Sequence, residues 1–194
     1  MLRSSAVALT AASLLLLTAC GSSGTTASTG TTSSTGTTSS AAGASTTAAK
    51  SACTPSTAAA PAGVPALTGT PTDTSVQAVI SAGTGTPPTT VVTQDIVTCS
   101  GPTATAQATV AVRYTGALYT NGSVFDASWR KGTAPVTFPL AQVVPGFSQG
   151  IVGMHPGDRR VIVFPPALGY GDQGNGAVPG GSTLVFVVDL VTIS

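Results

Sequence analysis

Between Thr109 and Tyr114 the chain alternates strictly, with Val110, Val112 and Tyr114 on one side and Ala111 and Arg113 on the other. A period of two predicts a half-buried strand. Asn121-Gly122 follows, flanked by Leu118-Tyr119 and Val124-Phe125, which is a strong hairpin signal. Further apolar runs predict strands at 136–138, 160–164 and 183–191, with weaker ones at 76–80 and 91–97. Frequent Gly and Pro keep these segments short, which points to an antiparallel, β-rich region. One stretch breaks the rule. In Pro145 to Met154 the apolar residues Phe147, Ile151 and Met154 recur at i, i+4 and i+7, the stripe of a short helix. Pro145 suits its first turn, and Gly157 is where the chain is expected to leave it.

The same contrast marks out the domain organisation. All five Phe, three Tyr and the single Trp lie between Tyr114 and Phe186, so the core belongs there. The N-terminus reads as a leader instead. Met1-Leu2-Arg3 precedes an apolar stretch from Ala6 to Ala19, too short to span a bilayer and suited to a signal peptide. It ends in Leu17-Thr18-Ala19-Cys20, which resembles a bacterial lipobox and implies cleavage before Cys20 and lipidation of that residue. From Gly21 to Ala49 every residue is Gly, Ser, Thr or Ala, a flexible tether with a reach of about 30 Å. Pro and Ala extend the low complexity to about residue 71. The expected organisation is therefore a leader at 1–19, a lipid-anchored linker at 20–71 and a folded domain at 72–194. The protein is expected to be exported and held at the outer face of the cytoplasmic membrane or cell envelope.

Charge excludes more than it suggests. Only 7% of the 194 residues are charged and the net charge is +1, without a basic run, so no nucleic-acid partner is expected. Cys53 and Cys99 remain after Cys20 is assigned. An even number of thiols in an exported chain suggests a bridge, and two free thiols are the alternative. With one His and no ligand spacing, no metal site is expected.

Two motifs point to chemistry that their context denies. Gly146-Phe147-Ser148-Gln149-Gly150 fits the G-x-S-x-G nucleophile elbow, with His155 and Asp158 close behind. An elbow needs a preceding strand, a parallel sheet and an acid between serine and histidine. Here a proline precedes it and the only histidine comes before Asp158. Gly169-Tyr170-Gly171-Asp172-Gln173-Gly174 fits G-x-G-x-x-G, but no helix pattern follows to receive a phosphate.

A longer string of landmarks carries more weight. Val112-Arg113-Tyr114-Thr115-Gly116 and Asn121-Gly122-Ser123-Val124-Phe125-Asp126-Ala127-Ser128 come first. Gln142-Val143-Val144-Pro145-Gly146-Phe147 and Ile151-Val152-Gly153-Met154 with Gly157-Asp158-Arg159-Arg160 follow. Pro165-Pro166-Ala167-Leu168-Gly169-Tyr170-Gly171 and Ser182-Thr183-Leu184-Val185-Phe186 close the series. In order and spacing, over residues 100–194, this resembles the FKBP-type peptidyl-prolyl isomerases.

The resemblance implies an α+β fold, a curved antiparallel sheet wrapped around one short helix. It implies an aromatic cleft for a substrate proline, lined by Tyr114, Phe125, Asp126, Phe138, Val143, Val144, Phe147, Tyr170, Val178 and Phe186. Phe147 would floor it, the Tyr170 hydroxyl and Val144 N–H would bond substrate carbonyls, and Asp126, held by Tyr114, would face the imide bond. Asp126 could also pair with Arg130 or Lys131. The reaction implied breaks no covalent bond and requires no cofactor. Proline-containing polypeptides are the partners implied, together with macrolides such as tacrolimus or rapamycin, and a monomer is expected. A binding or chaperone module with the same cleft and little turnover is the competing reading. Three departures stand out: Phe147 where many members have Trp, Gly169 where Ala is usual, and Val178-Pro179-Gly180-Gly181 where I-P-P is common.

Overall fold

In this computed structural model all the strands read from the pattern except the one at 76–80 assemble into one antiparallel sheet, and residues 52–194 are described. The leader, Cys20 and the tether up to residue 51 lie outside the described residues. In chain order the elements are β1 (Thr54–Pro55), β2 (Leu67–Thr68), β3 (Val79–Ile80), β4 (Val92–Thr98), β5 (Thr109–Leu118), β6 (Val124–Ala127), β7 (Val136–Pro139), α1 (Pro145–Ile151), β8 (Arg159–Phe164) and β9 (Leu184–Ile193). The main sheet runs β1-β4-β8-β9-β5-β6, with β7 alongside the first half of β5; β2 and β3 form a separate hairpin. The sheet has α1 on one face, as expected.

Strand alternation divides the core in two. Val110 and Val112 of β5, Ile162 and Phe164 of β8, and Leu184, Phe186, Val188 and Leu190 of β9 face α1, where Phe147, Ile151 and Met154 meet them. The helix sits close because its two glycines face β8. A Cβ on Gly146 would run into the Phe164 ring, and one on Gly150 into Ile162. The glycines of the apparent nucleophile elbow are thus packing residues. The helix ends at Ile151, and the chain turns at Gly153, with φ 85°, four residues before Gly157. Met154 stays fully buried beyond the turn. Asp158 is equally structural. Its two oxygens accept the backbone N–H groups of Cys99 (2.6 Å) and His155 (2.7 Å).

The opposite face of the sheet is also apolar. Val161, Val163, Val185, Val187 and Ala117 are buried there against Ala78 and Ile80, with Val64 and Leu67 packed beside them. Burial on both faces explains why β8 and β9 read as nearly continuous hydrophobic runs. The cover comes from residues 64–80, so the linker expected to reach residue 71 ends earlier. Residues 52–71 already carry β1, β2 and half of a Cys53–Cys99 disulfide. Their Pro- and Ala-rich composition has no period of its own, and only pairing with distant strands orders them.

One side chain ties the cover down. Arg159, fully buried, directs Nε and Nη2 to the two oxygens of Asp189 at 2.5 and 2.7 Å. Its remaining N–H groups reach the carbonyls of Pro71 (3.0 Å), Asp73 (2.8 Å) and Val76 (2.9 Å). All five guanidinium donors are satisfied. The engagement of the Val76 carbonyl also explains why the strand expected at 76–80 contracts to Val79–Ile80.

Candidate active site

On the α1 side of the sheet a cleft of about 270 Å³ opens between β5, β6, β7, the start of α1 and the loop bearing Tyr170. β5 delivers Tyr114 and β6 delivers Phe125 and Asp126, because the hairpin sets their register. The connection is tight. Asn121 Oδ1 accepts the Ser123 N–H at 2.9 Å, and Gly122 sits at φ 69° where the turn requires a left-handed residue. β7 brings Phe138, β9 brings Phe186, and Val143 and Val144 line the approach to the helix.

Phe147 lies at the bottom, 5% exposed. Its ring meets that of Phe186 edge to face, with centroids 5.0 Å apart and planes at 72°. Phe138 and Tyr114 stand edge-on to it at 6.3 and 6.1 Å. Phe125 meets Phe186 in the same way at 5.5 Å, and Phe164 stacks behind Phe186 with planes 6° apart. Edge-to-face contacts of this kind hold each ring in a defined orientation. The result is a stiff apolar floor.

The polar groups are few and placed. The Tyr114 hydroxyl donates to Asp126 Oδ2 at 2.6 Å, while Asp126 Oδ1 accepts the Ala127 N–H at 2.8 Å. Burial, and then the bond to Asp126, pushes the Tyr114 phenol well above its ordinary value, so it stays a donor. Arg130 does not take the Asp126 carboxylate; its guanidinium donates to the carbonyls of Phe125 (2.9 Å) and Val124 (3.2 Å). Among the described residues, no protein acceptor takes the Val144 N–H or the Tyr170 hydroxyl. Two donors and one oriented carboxylate therefore stand around an aromatic pocket.

Nine of the ten residues read from the sequence line this cleft; Val178 does not. It is 4% exposed, closed into the core behind the Asn175–Val178 bridge. Gln142, exposed at the end of a 3₁₀ turn, lines the cleft in addition. In the sequence it is a landmark only, and nothing in its spacing marks it as lining. Trp129 lies outside the cleft under the Arg113 guanidinium, 5.7 Å from the ring centroid.

The comparisons with known proteins agree on one family. Residues 101–191 match the model of the FKBP-type peptidyl-prolyl cis-trans isomerase domain. An FK506-binding protein of Streptomyces anulatus is 44% identical over 113 residues, covering 56% of this chain and 90% of that protein. The chain belongs to the FKBP-type peptidyl-prolyl isomerases. A probable FK506-binding protein of Corynebacterium glutamicum is 38% identical over 108 residues, covering 56% of this chain and 91% of that one. The crystal structure of FkpA from Escherichia coli superposes with a TM-score of 0.51 at 36% identity, over 54% of this chain and 48% of that one. The activity of this FKBP-type chain is cis–trans isomerisation of peptidyl-prolyl bonds, and its fold is the antiparallel sheet with a single helix described above.

Proposed function

We propose that the protein is an exported, lipid-anchored isomerase that uses this aromatic cleft to rotate X–Pro bonds in extracytoplasmic polypeptides. The observation that carries the reading is the pairing of an apolar ring-lined floor with two unused donors and a carboxylate held by two hydrogen bonds. Rotation about an X–Pro bond faces a barrier of about 18–20 kcal/mol, because amide resonance is lost in the twisted state. The twisted imide is less dipolar than the planar one, so an apolar cleft favours it. The Val144 N–H and Tyr170 hydroxyl would hold the flanking carbonyls, with Phe147 beneath the proline ring and Asp126 facing the imide. Interactions stronger in the twisted state than in the planar one are what accelerate the step. Shortening tens of seconds to milliseconds needs about 10⁴-fold, or roughly 5.5 kcal/mol, within reach of desolvation and a few oriented hydrogen bonds.

The relatives' names support a further reading, that macrolides such as tacrolimus or rapamycin enter the same cleft and compete with peptide. The leader, the lipobox ending at Cys20 and the tether support the location. A prolyl-isomerisation assay on the full chain tests the function, with Asp126→Ala and Tyr170→Phe expected to slow turnover about tenfold or more while the fold is kept. Wild-type protein that binds proline peptides without accelerating their isomerisation would leave a chaperone module instead. Intact mass of the membrane-extracted form tests the anchor, and an unmodified Cys20 would refute it.

A further inference from the structure

The strand partner of β5 on the cleft side is interrupted. β6 leaves at Ala127, opposite Thr115, and β7 joins only at Val136, opposite Val112. Between these two points lie Arg113 and Tyr114, paired with Asp189 and Val188 of β9 on their other side but with no strand on this one. The chain that would have continued the ladder turns away instead into a 3₁₀ turn at Ser128–Lys131.

Ser128 fills the gap with its side chain. Its hydroxyl oxygen accepts the Tyr114 N–H at 3.0 Å and makes a longer 3.5 Å contact to the Tyr114 carbonyl, and the residue is 4% exposed. A single hydroxyl, both donor and acceptor, thus replaces the missing rung. Tyr114 in turn holds Asp126 through its phenol, and Asp126 is held again by the N–H of Ala127, the residue before Ser128. These contacts form a closed circuit: Ser128 to the Tyr114 backbone, the Tyr114 phenol to Asp126, Asp126 back to Ala127. Asp126 is exposed, so hydrogen bonds rather than packing set its orientation.

We propose that Ser128 is a positioning residue for isomerisation, acting through Tyr114 to aim the Asp126 carboxylate. The inference rests on the reading of Tyr114 and Asp126 as working groups of the cleft. A small displacement of such a group is costly to rate. In the full chain, Ser128→Ala is expected to lower kcat/KM about tenfold, with most of the loss in kcat. In a Tyr114→Phe background, which has already lost the bond to Asp126, the same change is expected to cost less than about twofold. Ser128→Thr, which keeps the hydroxyl, should restore part of the lost rate.

The second readout is independent of activity. The alkaline absorbance titration of Tyr114, identified by subtraction of the Tyr114→Phe curve, should move down toward the ordinary tyrosine value in Ser128→Ala. Equal losses in the two backgrounds would overturn the proposal, as would a Tyr114 titration that does not move. If Ser128→Ala does not fold, Ser128→Cys, close in size but a weak hydrogen-bonding partner, is read through the same cycle. If the wild-type chain shows no isomerase activity, the functional reading fails, and the titration still decides whether Ser128 positions Tyr114.

Discussion

Arg159 can be removed without touching the cleft, and the loss can be estimated from its partners. Arg159→Met keeps most of the buried volume but deletes all five hydrogen bonds. The Pro71, Asp73 and Val76 carbonyls can turn to water as the cover loosens, so their share is small. Asp189 cannot. It is 4% exposed, and burial already pushes its carboxyl above the usual value, with the Arg159 guanidinium offsetting part of that effect. Leaving one member of a buried pair uncompensated costs about 3–5 kcal/mol. Against a domain stability of about 5–15 kcal/mol, that is a large fraction.

The sign of the pH dependence follows from the same group. Without Arg159, the folded-state pKa of Asp189 rises further above its unfolded value. The stabilisation from its bound proton is fully present below the unfolded pKa and is lost as pH rises through the folded one. Arg159→Met should therefore be weakest relative to wild type at neutral pH and recover on acidification. Replacing Asp189 as well, in Arg159→Met/Asp189→Asn, should return about 2 kcal/mol or more at pH 7. Denaturant unfolding followed by fluorescence of the single Trp129 measures both effects. A single variant within about 1 kcal/mol of wild type, or one whose deficit does not shrink in acid, would refute the reasoning.

Three further outcomes are expected. Reducing Cys53–Cys99, which are 46 residues apart, should lower stability by about 4 kcal/mol in the chain-entropy model; unfolding midpoints that coincide with and without reductant would contradict this. Gly150→Ala places a methyl against Ile162 and should cost about 1–3 kcal/mol, while turnover falls because α1 carries Phe147; thermal unfolding and the isomerisation assay would read the two together. Above about pH 10 the domain should lose stability, because unfolded chains ionise Tyr114 before folded ones do. Tyr114→Phe should flatten that slope in unfolding experiments across the alkaline range.

Much of the site could be read directly because it is built from local signals. The 121–122 turn sets the β5–β6 register, which puts Asp126 opposite Gly116 and within reach of Tyr114, two residues along the same face of β5. The 147/151/154 stripe places Phe147 on the buried side of α1. These depend on residues within one or two turns or one hairpin of each other. Val178 lies on a loop and Gln142 at the end of a three-residue 3₁₀ turn, where no period indicates whether a side chain faces the cleft or the core. That is why the two exchange places between the pattern and the structure.

The order of apolar and glycine landmarks along the chain was enough to establish the family, the single helix and the aromatic floor. The second buried face required the folded molecule. Arg159 is separated by 88 residues from the Pro71 carbonyl it holds. Neither the Pro- and Ala-rich segment nor Arg159 carries a local sign of such a partner. Contacts of that span form only once the sheet brings the distant segments together, so they belong to the tertiary structure alone.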